Sequence, residues 1–171
     1  MKIIALIASI TYVLLASASA ADATAKITDV HLCCKGCVEG AEKAVSSVPG
    51  AKAAVDQDSG TVTLSGSDAA TVQKAANALV AAGYFGKSGD VKLDATTGAK
   101  GAKVQSLKIE GVHLCCGKCV KAVDKAVKSV PGVKEQTATK GAKSFDVTGD
   151  FNDQDVFAAL QKEGLTGKAA K

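Results

Sequence analysis

Apolar positions along this chain alternate between a period of two and a period near 3.6, and they do so twice in the same order. Residues 26–32 are rich in β-branched and apolar side chains and read as a strand. Val38, Ala41, Val45 and Val48 follow at 3-4-3 spacing, which lines one face of a helix running to about Val48, and Pro49-Gly50 then stops it. Two short alternating stretches, residues 53–55 and 61–64, flank an Asp- and Gly-containing segment that predicts a hairpin turn. A second helix is predicted from an N-cap at Ser67 or Asp68 to about Ala82, with Val72, Ala76 and Leu79 on its apolar face and Gly83 as its stop. A last strand is predicted within residues 86–93.

The same pattern then recurs. Shifting the sequence by 82 residues aligns residues 31–50 with 113–132, and thirteen of those twenty positions are identical. Val120, Val123, Val127 and Val130 repeat the helical stripe, while Lys121, Asp124, Lys125 and Lys128 fall elsewhere on the helix. Strands are predicted at residues 133–139 and 144–148, a helix at 152–163 and a short strand near Thr166. Between the halves, residues 95–103 are small or charged and predict a flexible linker. The order strand, helix, strand, strand, helix, strand is the split βαβ pattern. The expected fold class is therefore α+β: two ferredoxin-like βαββαβ domains, residues 24–94 and 104–171, each an antiparallel four-stranded sheet with two helices on one face. Units of about 70 residues bury only about 60% of their unfolded surface. Each is expected to fold by itself and to bind about one ion.

Composition adds a compartment and removes several function classes. Lys2, an apolar run over residues 3–16 and Ala18-Ser19-Ala20 read as a signal peptide spanning residues 1–20, so a secreted or periplasmic location is expected. That apolar run is shorter than the roughly 20 residues of a membrane span, and no later segment approaches it. Removing Lys2 changes the formal charge from +4 to +3, and none of the basic residues is Arg. Without Arg the usual bidentate reader of phosphate and bases is missing, so no nucleic-acid partner is expected. The chain carries no acid/base pair, phosphate loop or pump phosphorylation motif, and it is not expected to be an enzyme.

All six cysteines sit in the two copies of one short stretch, His31-Leu32-Cys33-Cys34-Lys35-Gly36-Cys37 and His113-Leu114-Cys115-Cys116-Gly117-Lys118-Cys119. Three thiols within five residues make a poor staple between distant parts of a fold, and an odd number per cluster leaves one over. The loop leads into a helix, whose N-terminal dipole, helped by Lys35 or Lys118, is expected to lower the thiol pKa values. A soft dithiolate or trithiolate site results, with Cys34, Cys37, Cys116 and Cys119 as ligands and Cys33 and Cys115 as either third ligands or bystanders.

Both units resemble heavy-metal-associated domains, the modules of copper chaperones, mercury-binding periplasmic proteins and the N-termini of metal-transporting P-type ATPases. The resemblance rests on Ile109-Glu110-Gly111 before the loop, Cys34-x-x-Cys37 and Cys116-x-x-Cys119, Val-Pro-Gly at both helix ends, and Ala82-Gly83-Tyr84. It implies a soft metal ion as cargo, Cu(I) first, with Hg(II) and Zn(II) as other candidates, and a metal-transporting or metal-accepting protein as partner. The chain departs from that pattern in three places. Leu32 and Leu114 stand where the family has Met, the loop carries two more residues and one more thiol, and Leu165 stands where the first unit has Tyr84.

Other readings of the same residues stay open at this level. The C-x-x-C pairs suit thiol-disulfide exchange as well as metal transport, and closed disulfides would make the chain a structural adaptor. Against a thioredoxin-type protein, the chain has no Trp, and its only prolines end the two helices. His31 and His113 are packed or solvated imidazoles, or ligands. Tyr84 is a core or rim aromatic rather than a ligand.

Overall fold

A computed structural model describes residues 22–170; the segment read as a signal peptide lies outside the described residues. In the first half the pattern yields β1 (Ala23–Ile27), α1 (Lys35–Ser46), β2 (Lys52–Asp56), β3 (Thr61–Gly66) and α2 (Ala69–Ala81). Asp68 caps α2, its carboxylate accepting from the Thr71 amide at 2.7 Å. In the second half come β4 (Lys103–Glu110), α3 (Gly117–Lys128), β5 (Val133–Gln136), β6 (Ser144–Asn152), α4 (Asp153–Lys162) and β7 (Lys168–Ala169). Both sheets are antiparallel, ordered β1-β3-β2 and β5-β6-β4-β7. First and third strands of each half pair with each other, β1 with β3 and β4 with β6, the arrangement that the split βαβ connection requires. The protein is an α+β fold of the ferredoxin-like type.

Burial follows the sequence stripes. Val72, Ala76 and Leu79 of α2 and Val123 and Val127 of α3 are buried, as are Ala25 and Ile27, whose neighbours Thr24 and Lys26 face water. One face of each sheet is thus core. Tyr84 and the three buried phenylalanines, Phe145, Phe151 and Phe157, are the largest buried side chains.

Three expectations need correction. The first sheet has three strands, not four. Residues 86–93 contribute a single bridge, Thr28 with Lys87, through amide bonds of 2.9 and 2.8 Å. The Ser88 hydroxyl oxygen then accepts from the Asp90 and Val91 amides and turns the chain, and Gln73 of α2 binds both polar groups of the Lys92 backbone. Second, β1 ends at Ile27 and not at Leu32. Asp29 has φ 60°, which breaks the ladder, and Gly111 at φ 78° does the same at the matching place in the second half. Third, the linker is held down. The Asp153 carboxylate accepts from the amides of Lys100 (2.9 Å) and Ala102 (3.0 Å), and Ala169 donates to the Thr97 carbonyl at 2.7 Å.

The halves also dock on each other. Phe85 donates its amide to the Gly164 carbonyl (3.1 Å) and Thr166 donates to Gly83 (3.0 Å), around a Tyr84 to Leu165 bridge. Gly83 (φ 90°) and Gly164 (φ 73°) follow α2 and α4. A methyl on Gly83 would strike the Gly111 carbonyl and the His113 nitrogen; one on Gly164 would strike the Asp29 carbonyl and the His31 nitrogen. Asp29 and Gly111, like His31 and His113, are equivalent under the 82-residue shift, so the interface is a pseudo-twofold one.

Candidate metal centre

Each cysteine loop is fixed at both ends. Leu32 and Leu114, at 5% and 4% exposure, plug it onto the core from the strand side. On the helix side, Cys34 and Cys116 are the N-cap residues of α1 and α3, with extended backbone and no side-chain cap. The first helical amides therefore have no side-chain oxygen partner from the cap and present their dipole to whatever charge develops there. Cys37 and Cys119, in the first helical turn, are fully buried, and the other four cysteines are half-buried.

Docking brings the two loops face to face, and the six sulfurs meet in one cluster. Across the interface, Sγ of Cys33 lies 3.4 Å from Cys116 and 3.6 Å from Cys119. Its counterpart Cys115 lies 3.5 Å from Cys34 and 3.4 Å from Cys37. Cys37 and Cys119 face each other on the pseudo-axis at 3.7 Å. Within the loops, Cys33 to Cys37 and Cys115 to Cys119 are 3.6 and 3.7 Å, and both C-x-x-C pairs are 3.8 Å. Every spacing in one half has its match in the other. All six thiols are free. The sulfurs thus belong to a shared centre, and the expectation of one separate site per unit does not describe this geometry.

Crowding reverses the expected electrostatics for most of these thiols. Burial, then its contacts with Cys116 and Cys119, pushes Cys33 up to about 12. Burial also pushes Cys115 up. Cys119 rises through its contact with Cys37 and through burial, although His31 pulls the other way. For Cys37 the contact with Cys119 lowers the value, but burial and the contacts with Cys115 and Cys33 outweigh it and the net shift is upward. Cys116 goes down as predicted, drawn first by the Cys119 amide in the first turn of α3. A helix terminus favours one thiolate; six sulfurs sharing one pocket oppose the second and third. The lysines do little to offset this. Lys35 is 87% exposed and pairs with Glu39, and Lys118 reaches the Cys33 carbonyl at 3.4 Å.

The histidines and Tyr84 complete the surroundings. Tyr84, fully buried, donates its hydroxyl to the Cys37 carbonyl at 2.8 Å, lies 3.1 Å from His113 Nε2 and stacks on that ring at 4.6 Å. Gly40 leaves room for this, since a methyl there would overlap the Tyr84 hydroxyl. Burial, with His31 adding to it, lowers the His113 pKa and so favours the neutral imidazole. His31 Nε2 is buried without a hydrogen-bond partner. Four sets of donors have their atoms within 4.8 Å of one another: His31 with Cys33 and Cys119; Cys33 with Cys34 and Cys37; Cys34 with Cys115 and Cys116; Cys37 with His113 and Cys115. Cys33 and Cys115 lie inside this network. Sequence reasoning missed that the loops meet and that Tyr84 bonds to both of them, to Cys37 and to His113. The glycines after the two second helices, one per repeat, were the available signal.

Soft thiolate donors at such spacings can bind metal ions. Among the described residues no helix is long and apolar enough to cross a membrane.

No protein-family model and no curated protein matches the chain. Among solved structures it is similar to the N-terminal domain of PacS from Synechocystis PCC6803, at 19% identity and TM-score 0.37, over 40% of this chain and 100% of that one. It is also similar to the N-terminal soluble domains of Bacillus subtilis CopA, at 17% identity and TM-score 0.33, over 88% of this chain and 95% of that one. Likeness at these scores carries no weight beside the strand order itself, on which the fold assignment rests.

Proposed function

We propose that this protein captures soft, thiophilic cations, Cu(I) foremost, in one thiolate centre built by both halves, and carries or sequesters them outside the cytoplasm. The observation that carries this reading is the set of sulfur spacings, all 3.4 to 3.8 Å, five of them across the interface. With metal–sulfur bonds of about 2.3 Å, a linear pair spans about 4.6 Å, whereas edges of trigonal and tetrahedral sets span about 4.0 and 3.8 Å. The spacings therefore favour shared three- and four-coordinate sites over two isolated linear ones. Six donors also exceed what one such ion uses. If all six thiols ionise on binding, several positive charges are needed for balance, which supports more than one ion per chain.

Cys34 and Cys116, half-buried at the helix starts, are where exchange with a metal-accepting protein begins, while Cys37 and Cys119 hold the ion from inside. The leader-like residues 1–20 support export. Thiol-disulfide exchange is less well supported, because a nucleophilic thiol needs a depressed pKa and most of these are raised. The test is anaerobic titration of the reduced chain with Cu(I) and Zn(II) in competition with calibrated chelators. More than two Cu(I) per chain, held more tightly than Zn(II), is expected. Zn(II) binding of equal strength would overturn the choice of metal, and no binding of either ion would overturn the function.

A further inference from the structure

The 82-residue repeat makes the surroundings of the sulfurs nearly equivalent in the two halves, except at the histidines. His31 and His113 occupy matching positions, and each has a donor nitrogen within 4.8 Å of two sulfurs, so distance does not separate them. Hydrogen bonding does. The single hydroxyl hydrogen of Tyr84 goes to the Cys37 carbonyl at 2.8 Å, so its oxygen is left to accept from His113 Nε2 at 3.1 Å. That bond places the imidazole proton on Nε2 and removes this nitrogen from the pool of metal donors, leaving Nδ1 as the only free lone pair of His113. In the other half the residue matching Tyr84 is Leu165, which has no polar group to offer. His31 Nε2 is buried with no hydrogen-bond partner, on a ring that offers a donor nitrogen within 4.8 Å of the Cys33 and Cys119 sulfurs. Buried polar atoms in folded proteins are nearly always satisfied, and a lone one facing sulfurs points to a missing partner.

We infer that His31, through its unpartnered Nε2, is a ligand of the thiolate centre, whereas Nε2 of His113 is held out of the ligand set by Tyr84. This deepens the soft-metal reading above and rests on it. The end of the centre formed by Cys33 and Cys119 then takes a sulfur-and-nitrogen set. The choice of donor has a physical reason. An imidazole binds as a neutral group, so it raises the coordination number without adding charge to a site already holding six thiolates, and it suits copper and zinc as well as sulfur does.

The test uses the full reduced chain, labelled with nitrogen of spin one-half and loaded with magnetically active cadmium as the probe ion. A metal–nitrogen scalar coupling is expected at His31 Nε2 and none at His113 Nε2. His31→Gln, which keeps a polar side chain of similar reach, should lose the coupling and weaken cadmium binding by about tenfold or more. Tyr84→Phe should leave the His31 coupling in place, which separates ligation by His31 from a general loosening of the loop. Coupling at His113 Nε2, or none at His31 Nε2 with cadmium bound, would overturn the assignment while leaving thiolate binding intact. A chain that takes up no cadmium would overturn the metal reading and this inference with it.

Discussion

Replacing Gly83 with Ala perturbs the docking on which the shared centre depends. Gly83 sits at φ 90°, where an L-residue costs about 1–2 kcal/mol. The new methyl also points at the Gly111 carbonyl, the His113 nitrogen and the Val112 carbonyl carbon, the last 3.1 Å away. All three are backbone atoms, so no side-chain end can swing aside and one half must move. Movement stretches the bonds from Thr166 to Gly83 and from Phe85 to Gly164, each worth a net of about 1 kcal/mol. The expected loss is then about 3–4 kcal/mol. Gly50→Ala supplies the control, because Gly50 has nearly the same φ, 79°, with open space around it, and should cost only the conformational term. The difference of about 2 kcal/mol belongs to the contact between halves. Urea unfolding of the reduced chain under anaerobic conditions measures both variants. Gly164→Ala should mirror Gly83→Ala. A Gly83→Ala midpoint no lower than that of Gly50→Ala would refute the docking.

Other outcomes follow from the same geometry. Cys33→Ser or Cys115→Ser should weaken soft-metal binding by about tenfold, or 1.4 kcal/mol, in chelator competition, because each sulfur touches three others. Leu114→Ala should destabilise the fold by about 2–4 kcal/mol in urea and loosen the loop, whereas Leu114→Met, near in volume, should cost less than about 1.5. Asp153→Asn should cost about 1–2 kcal/mol at neutral pH by weakening the bonds that hold the linker. Burial acts to raise the Asp153 carboxyl, but the amides of Lys100, Ala102, Gly101 and Gln154 outweigh it and hold the pKa below the usual range. Its contribution is therefore present above the unfolded value of about 3.9 and lost as pH falls through the folded one, so unfolding curves of wild type and variant should converge in acid.

Local rules carried most of the fold. The 3-4-3 valine spacing located α1 and α3, and Asp68 was recognisable as a cap because its side chain can reach the third amide of the helix. Where local rules failed, a backbone feature or a tertiary partner decided. The stretch after Gly86 holds enough apolar residues to resemble a strand, but Ser88 and Asp90 turn it and Gln73 captures what remains. Asp29 at positive φ ended β1 early, and nothing in an Asp before Val30 announces that conformation. For the site, the six cysteines and their loop-to-helix setting were legible, but the meeting of the loops was not. It depends on Gly83 and Gly164, which look like ordinary helix stops until the opposite chain is placed against them. The raised thiol pKa values were missed for the same reason, since each loop had been considered without the three sulfurs of the other. The change from Tyr84 in one half to Leu165 in the other was a readable sign that the two sites differ.

The central claim is that the sulfurs of both loops occupy one place, and cross-linking measures this without any metal. In a chain that keeps only Cys33 and Cys116, with Ser at the other four positions, the two thiols belong to different halves and lie 3.4 Å apart. Mild oxidation of the dilute protein, followed by non-reducing peptide mapping, should give an intrachain Cys33 to Cys116 disulfide in most molecules. Thiols that stay free, or that join only between chains, would contradict the shared centre.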